Sequence, residues 1–255
     1  MSFDDDTQES ATRLSTLLAS IRRRGFTETV RLIVDELLFD RCGGYDTSGF
    51  IPIQKLDVTS PNRNQGLQYQ GVPPRLLRKV FASLEFEYSN CDVVDFGCGK
   101  GRALLVAAKF GVRRLAGVEF SAELCEVARS NLQRYANRNG IALDFAILHM
   151  DATMYPIAPN HNVFFFYNPF RETVLVQVLD RIDKSLREQP RPALLIYVMP
   201  VHRQVTDDRY VPIREIDGEV VVYALGPTAR TIDRNPIYRH GTEKWIETVR
   251  TPSRS

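Results

Sequence analysis

The chain has 255 residues, 44% hydrophobic and 25% charged, which suits one α/β domain of ordinary size with extensions and is too short for two full ones. Thirty-three Lys and Arg stand against 31 Asp and Glu, a formal net charge of +2, so a broad electrostatic field for nucleic acid is not supported. Cys42, Cys91, Cys98 and Cys125 show neither Cys-x-x-Cys nor His-rich spacing, which points to no metal site and to a reducing, cytoplasmic setting.

At the N-terminus, Met1-Ser2-Phe3-Asp4-Asp5-Asp6 lacks the basic-then-apolar pattern of a signal peptide. No apolar run approaches the roughly 20 residues that cross a bilayer, and no membrane partner is expected. Leu14, Leu17, Leu18 and Ile21 fall at helical spacing, and Phe26, Val30, Ile33, Leu37 and Leu38 do so again. Two amphipathic helices are therefore expected around Arg22-Arg23-Arg24-Gly25, with the arginine run as a solvated helix end. From residue 42 to 71 the periodicity lapses into Gly, Asn, Asp, Ser and Pro, as in Asp46-Thr47-Ser48-Gly49. Because Tyr45, Phe50 and Tyr69 punctuate this stretch, simple disorder is a poor description, and a lid or active-site wall is expected. Residues 1–71 are read as a helical extension and lid, 72–225 as the core and 226–255 as a tail. A helix over 75–84 leads into the core.

Val93, Val94 and Phe96 end a buried strand, and residues 103–110 form the helix after it. Between them runs Asp95-Phe96-Gly97-Cys98-Gly99-Lys100-Gly101-Arg102. Glycines at a strand-to-helix turn let the backbone approach a ligand, and a helix N-terminus favours electron-rich groups, so a nucleotide-like cofactor is expected. A dinucleotide fingerprint places its third glycine where Arg102 stands. A phosphate-binding loop requires Ser or Thr after Lys100, where Gly101 stands. The pattern Asp-x-Gly-x-Gly-x-Gly instead resembles the first motif of class I S-adenosylmethionine-dependent methyltransferases. That resemblance implies that Asp95 and the backbone of Gly97, Cys98, Gly99 and Gly101 hold the amino-acid end of S-adenosyl-L-methionine. Cys98 is read as a small residue beside the cofactor and not as a nucleophile.

Residues 114–121 read as a second strand ending in Glu119, 18 positions after Gly101, with Phe120 next to it. A carboxylate at that tip can accept ribose hydroxyls, a demand shared by dinucleotide enzymes and methyltransferases. Ser121 caps a helix lined by Leu124, Ala128, Leu132 and Tyr135, which Gly140 ends. A third strand over 143–149 is followed by Asp151-Ala152, the position that in the methyltransferase family receives adenine. His149 beside it is read as structural. Acids at three successive strand ends suit a doubly wound sheet with its ligand at the carboxyl edge.

The fourth strand, 162–167, is apolar throughout and so covered on both faces. It delivers Asn168-Pro169-Phe170, which resembles the Asn/Asp-Pro-Pro-Tyr/Phe motif of amino-methyltransferases with one proline missing, and the Asn-containing segment of Dot1-type lysine methyltransferases. An Asn carbonyl or a neighbouring backbone carbonyl can accept from an N–H group while the ring walls the pocket; a plain strand-ending turn is the other reading. A helix over 172–187 and a fifth strand over 193–198 follow. Strands 211–216 and 219–225 flank Asp217-Gly218, a hairpin turn pair. The tail carries Trp245 and wraps the surface or enters a dimer contact.

The resemblance covers residues 69–225 and implies a doubly wound, mostly parallel seven-stranded α/β sheet with a terminal antiparallel hairpin. The activity it implies is methyl transfer from S-adenosyl-L-methionine without a metal, to an unknown acceptor, with nitrogen on a protein side chain or small molecule preferred. Asn168, Pro169, Phe170 and Tyr69 would shape the acceptor site, since Tyr69-Gln70-Gly71-Val72-Pro73-Pro74 resembles the element that closes over the methionine moiety. An oxygen acceptor would call for a base, for which Tyr69, His149 and His202 are the candidates. A cofactor-binding regulatory module without turnover is a further alternative. A nicotinamide oxidoreductase is disfavoured by the early third glycine and the closing hairpin.

Overall fold

The computed structural model describes residues 18, 21–22, 25–56, 66, 68–84 and 87–226. Leu14, Leu17, Arg23, Arg24, most of the 57–67 stretch and the tail with Trp245 lie outside them. Seven strands form one sheet: β3 (Asp92–Phe96), β4 (Arg114–Glu119), β5 (Phe145–His149), β6 (Val163–Tyr167), β7 (Ala193–Val198), β8 (Val211–Ile216) and β9 (Val220–Leu225). Their spatial order is β5-β4-β3-β6-β7-β9-β8. The five strands from β5 to β7 are parallel, whereas β9 runs antiparallel to β7 and to β8. This is the doubly wound sheet with a closing hairpin that the sequence pattern implies. In the three-residue connection 217–219, Asp217 and Gly218 both have positive φ, 54° and 67°, and the Glu219 amide donates to the Ile216 carbonyl at 3.0 Å, backbone angles that favour Asp-Gly.

Alternation along the strands divides the core between two faces. Val94, Phe96, Phe164 and Phe166 pack with Val174, Val178, Leu179 and Ile182 of α5 (Glu172–Glu188). Val93, Leu115 and Phe165 pack on the other face with α2 (Pro74–Ser83), α3 (Arg102–Lys109) and α4 (Ala122–Asn139). Covering both faces is what makes β6 apolar throughout; each fully buried Phe there contributes about 1.5–3 kcal/mol of transfer free energy. The Ser121 hydroxyl accepts from the Leu124 amide at 3.4 Å, and Gly140 ends α4 with φ 61°, both as the sequence predicts.

Two elements depart from the sequence reading. Within the aperiodic stretch, β1 (Phe50–Ile51) and β2 (Tyr69–Gln70) pair antiparallel, and Gly66 bridges to Phe170. The helix α1 (Phe26–Gly43) docks through a mixed face on which Thr29 and Phe39 are buried, and not through its aliphatic stripe. Phe26, Val30, Ile33, Val34, Leu37 and Leu38 are exposed, whereas Glu28 and Asp35 meet Arg75 and Arg78 of α2 and Glu36 pairs with Arg102 at 2.7 Å. The ion pairs with α2 and α3 orient this face, and the buried Phe39, packed against the core, anchors the C-terminal half of the helix. Among the described residues no helix is long and apolar enough to cross a membrane.

Candidate functional site

Chain order reverses between β3 and β6: β4 and β5 build outward on one side of β3, and β6 returns on the other. In an open parallel sheet this opens a crevice beyond the carboxyl ends of the strands, and a cavity of about 280 Å³ lies there. Register brings the tips level, with Phe96 opposite both Val118 and Phe166 and Glu119 opposite His149.

The glycine turn begins with the Gly97 and Cys98 amides donating to the Val118 carbonyl at 2.8 and 3.2 Å. Gly97 and Gly99 have φ 73° and 52°. A Cβ on Gly97 would lie 2.6 Å from Pro169, and one on Gly99 would lie 2.3 Å from the Tyr69 ring, so both neighbours close on bare backbone. Gly101 has another task. It stands at the N-cap of α3 and faces Ala128 of α4, whose methyl would lie 3.2 Å from a Cβ at this position, so the glycine permits close helix packing. Asp95, Gly97, Cys98, Glu119, Phe120, Asp151, Ala152 and Asn168 all border the cavity, as do Tyr69, Pro169 and Phe170; Gly99 and Gly101 do not.

The three acids differ in how they are held. Glu119 is buried; its Oε2 accepts from the Gly99 amide at 3.0 Å and its Oε1 from the amides of Phe120 and Ser121 at 2.9 and 3.0 Å. Burial pushes its carboxyl up and the three amides act against that rise. Asp151 Oδ1 accepts from the amide and hydroxyl of Thr153 at 2.9 and 2.7 Å, and so caps the single turn Ala152–Met154. Asp95 is only 3% exposed, yet among the described residues no hydrogen bond ends on its carboxylate. Burial, and secondarily the charge on Glu119, raise it well above the usual carboxylate range. A buried carboxylate without partners beside a cavity is costly unless a ligand supplies N–H or positive charge.

On the other side of the crevice, β6 runs into Asn168, a non-glycine residue at φ 38°. Its side-chain Oδ1 is buried without a hydrogen-bond partner among the described residues. Strained backbone and an unsatisfied acceptor together are features of ligand sites. Phe170 stacks edge-on to Phe166 with ring centroids 6.2 Å apart, which fixes the ring at the cavity wall.

Tyr69 contributes its ring to the wall, while its hydroxyl donates to the Thr47 carbonyl at 2.7 Å, and burial holds that phenol far up. His149 is exposed, with Nε2 3.1 Å from the Phe120 carbonyl, and His202 lies 3.9 Å from Glu172; neither borders the cavity. Cys98 is 6% exposed and burial raises its thiol strongly, which suits a packing residue and not a nucleophile. Sequence reasoning missed Gln68, Gln70, Met150, Met199 and Val201 at the cavity. Met199 was within reach of it: like Asn168 it is the first residue past a central strand, and it too has positive φ, 49°.

Residues 93–189 match the family model for a methyltransferase domain. A ribosomal protein L11 methyltransferase from Dechloromonas aromatica is 32% identical over 131 residues, covering 47% of this chain and 40% of that protein. One from Shewanella pealeana is 37% identical over 57 residues, 22% of this chain and 20% of its own length. The chain thus spans between about a fifth and two fifths of these relatives. Among solved structures, an S-adenosylmethionine-dependent methyltransferase from Aquifex aeolicus aligns with TM-score 0.43 at 16% identity, over 68% of this chain and 95% of that one.

Proposed function

We propose that the methyltransferase domain within this chain transfers a methyl group from S-adenosyl-L-methionine to a nitrogen acceptor. Asp95 carries the cofactor assignment, because a buried carboxylate with no hydrogen-bond partner among the described residues, at the head of a bare glycine turn, fits an ammonium group such as the one on the methionine moiety. Glu119 spends three acceptor positions on backbone amides, and a carboxylate offers about four, so it retains capacity for a ribose hydroxyl. Asp151 and Ala152 border the end of the cavity beyond β5, which suits adenine.

When bound, the sulfonium supplies an activated methyl group, so the protein's part is to orient the acceptor in line and keep water out. Tyr69, Phe120 and Phe170 wall the cavity with rings. Asn168 borders the cavity, and a rotation of its side chain would bring the enclosed Oδ1, without a partner among the described residues, to an N–H of the methyl-accepting group. None of the candidate bases for an oxygen acceptor offers a group to the cavity: the Tyr69 hydroxyl is bonded to Thr47, and His149 and His202 lie outside the lining. This favours nitrogen over oxygen. The names of the two bacterial relatives specify a ribosomal protein as acceptor, and a protein amine is accordingly the first acceptor to try.

The test is calorimetric titration with S-adenosylhomocysteine, followed by transfer of a labelled methyl group to an extract, for the wild type and Asn168→Ala. Saturable binding in both, with turnover lost by at least about tenfold in the variant, supports the reading. Binding without turnover in the wild type would instead favour the regulatory module, and absence of binding in a folded sample would overturn the cofactor assignment.

A further inference from the structure

Two cations flank the third glycine, Lys100 and Arg102, and both are turned toward the N-terminal extension. The Arg102 guanidinium is buried. Its Nε donates to the Thr47 hydroxyl at 2.8 Å, Nη2 to the Thr47 carbonyl at 2.6 Å and Nη1 to the Val72 carbonyl at 3.0 Å, and it pairs with Glu36 of α1. Three of its five donors thus make hydrogen bonds within the protein, and Glu36 supplies the counter-charge. Lys100 Nζ donates to Asp46 at 2.7 Å and to the Ser48 carbonyl at 3.0 Å. Arg102 borders the cavity, with its hydrogen bonds directed to Thr47 and Val72, and Lys100 does not border it.

The loop they grip is itself held from the other side. Asp40, near the end of α1, accepts from the Thr47 and Ser48 amides at 3.0 and 2.8 Å and from both their hydroxyls. What this arrangement presents is a single carbonyl, that of Thr47, which accepts from Arg102 and from the Tyr69 hydroxyl together. The next residues fit against the same anchor, since a Cβ on Gly71 would meet Arg102 at 2.5 Å and the Thr47 carbonyl at 2.9 Å. The wall from Tyr69 to Val72, which borders the cavity and covers Gly99, is therefore backed by a loop more than 40 residues upstream of the glycine turn.

We propose that Arg102 and Thr47 are positioning residues for the cofactor: the Thr47 carbonyl, held by Arg102, fixes the Tyr69 ring against Gly99 and so sets the affinity of the cavity. Neither residue needs to touch the ligand with its polar atoms. The inference rests on the reading of the cavity as a site for S-adenosylmethionine.

The experiment is calorimetric titration of the full chain with S-adenosylhomocysteine for the wild type, Tyr69→Phe, Arg102→Lys and the double variant, with the melting temperature of each unliganded protein. Tyr69→Phe keeps the ring and removes only its bond to Thr47, so it remains informative if Arg102→Lys does not fold. Each single change is expected to weaken binding by about five- to tenfold. The double variant should be no weaker than the poorer single, because both act through one carbonyl. A purely structural role would lower the melting temperatures and leave affinity in the cold untouched. That result, or losses that multiply in the double variant, overturns the inference while the cofactor reading stands. A folded wild type that does not bind takes down both.

Discussion

Asp95→Asn should make the unliganded protein more stable and the cofactor complex weaker. The native carboxyl titrates above its unfolded counterpart because burial and Glu119 oppose its ionisation. For an acid so shifted, the protonated form favours the fold. Its contribution to stability is therefore full below the usual carboxylate range and is lost as pH rises through the folded value. Once the pH is above the folded value, the wild type carries a desolvated charge with no hydrogen bond from the described residues, and an amide there avoids that charge. Above the folded value a gain of about 1–2 kcal/mol is expected, or roughly 2–8 °C for a domain of this size, shrinking as the pH is lowered through that value. A hydrogen bond to a charged group is worth about 1.5–3 kcal/mol, so affinity for S-adenosylhomocysteine should fall by roughly tenfold to a hundredfold. Wild-type affinity should rise with pH until Asp95 is ionised, with proton release visible as a buffer-dependent calorimetric enthalpy, and Asp95→Asn should abolish that dependence. Scanning calorimetry and titration at two pH values measure both halves. A variant that melts lower than the wild type, or that binds equally well, would refute the argument from the orphaned carboxylate.

Glu119 calls for a different substitution, because alanine would strand three buried amides at once; Glu119→Gln should cost about 1–3 kcal/mol of cofactor affinity with a smaller loss of melting temperature than Glu119→Ala shows. Gly99→Ala places a methyl 2.3 Å from the Tyr69 ring at φ 52°, so the ring must move, and affinity should drop by more than tenfold; a bound crystal structure with Tyr69 unmoved would contradict this. His161, stacked on Tyr155 with Nδ1 accepting from the Ala158 amide at 3.1 Å, is pushed down to about 4 by burial. Its neutral form is the folded one, so stability should fall as pH drops from about 6.5 toward 4, and urea unfolding of His161→Phe should show a shallower acid limb.

The parts of this protein that were legible in the sequence are those set by short-range geometry. Alternation and helical period located the strands and helices of the core, because each such element meets its own apolar layer. The spacing of Gly97, Gly99 and Gly101 marked the turn, and Asp217-Gly218 marked the hairpin, because only a few residue types adopt those backbone angles. The successive acids Asp95, Glu119 and Asp151 were legible as strand tips, since parallel strands with helical returns bring every tip to one edge.

Tertiary structure alone decided which face of α1 turns inward, because the arginines that draw its acidic side come from α2 and α3, distant in sequence. It alone showed that the Tyr69 hydroxyl is taken up by the Thr47 carbonyl and that Gly101 packs against Ala128. It also decided that Lys100 and Arg102, adjacent to the ligand turn, serve the loop at Thr47. Local periodicity reports whether a residue suits a helix or a strand; the partner of a charged or hydroxyl group is chosen by which remote carbonyl or carboxylate the fold carries to within about 3 Å of it, and no local pattern encodes that distance.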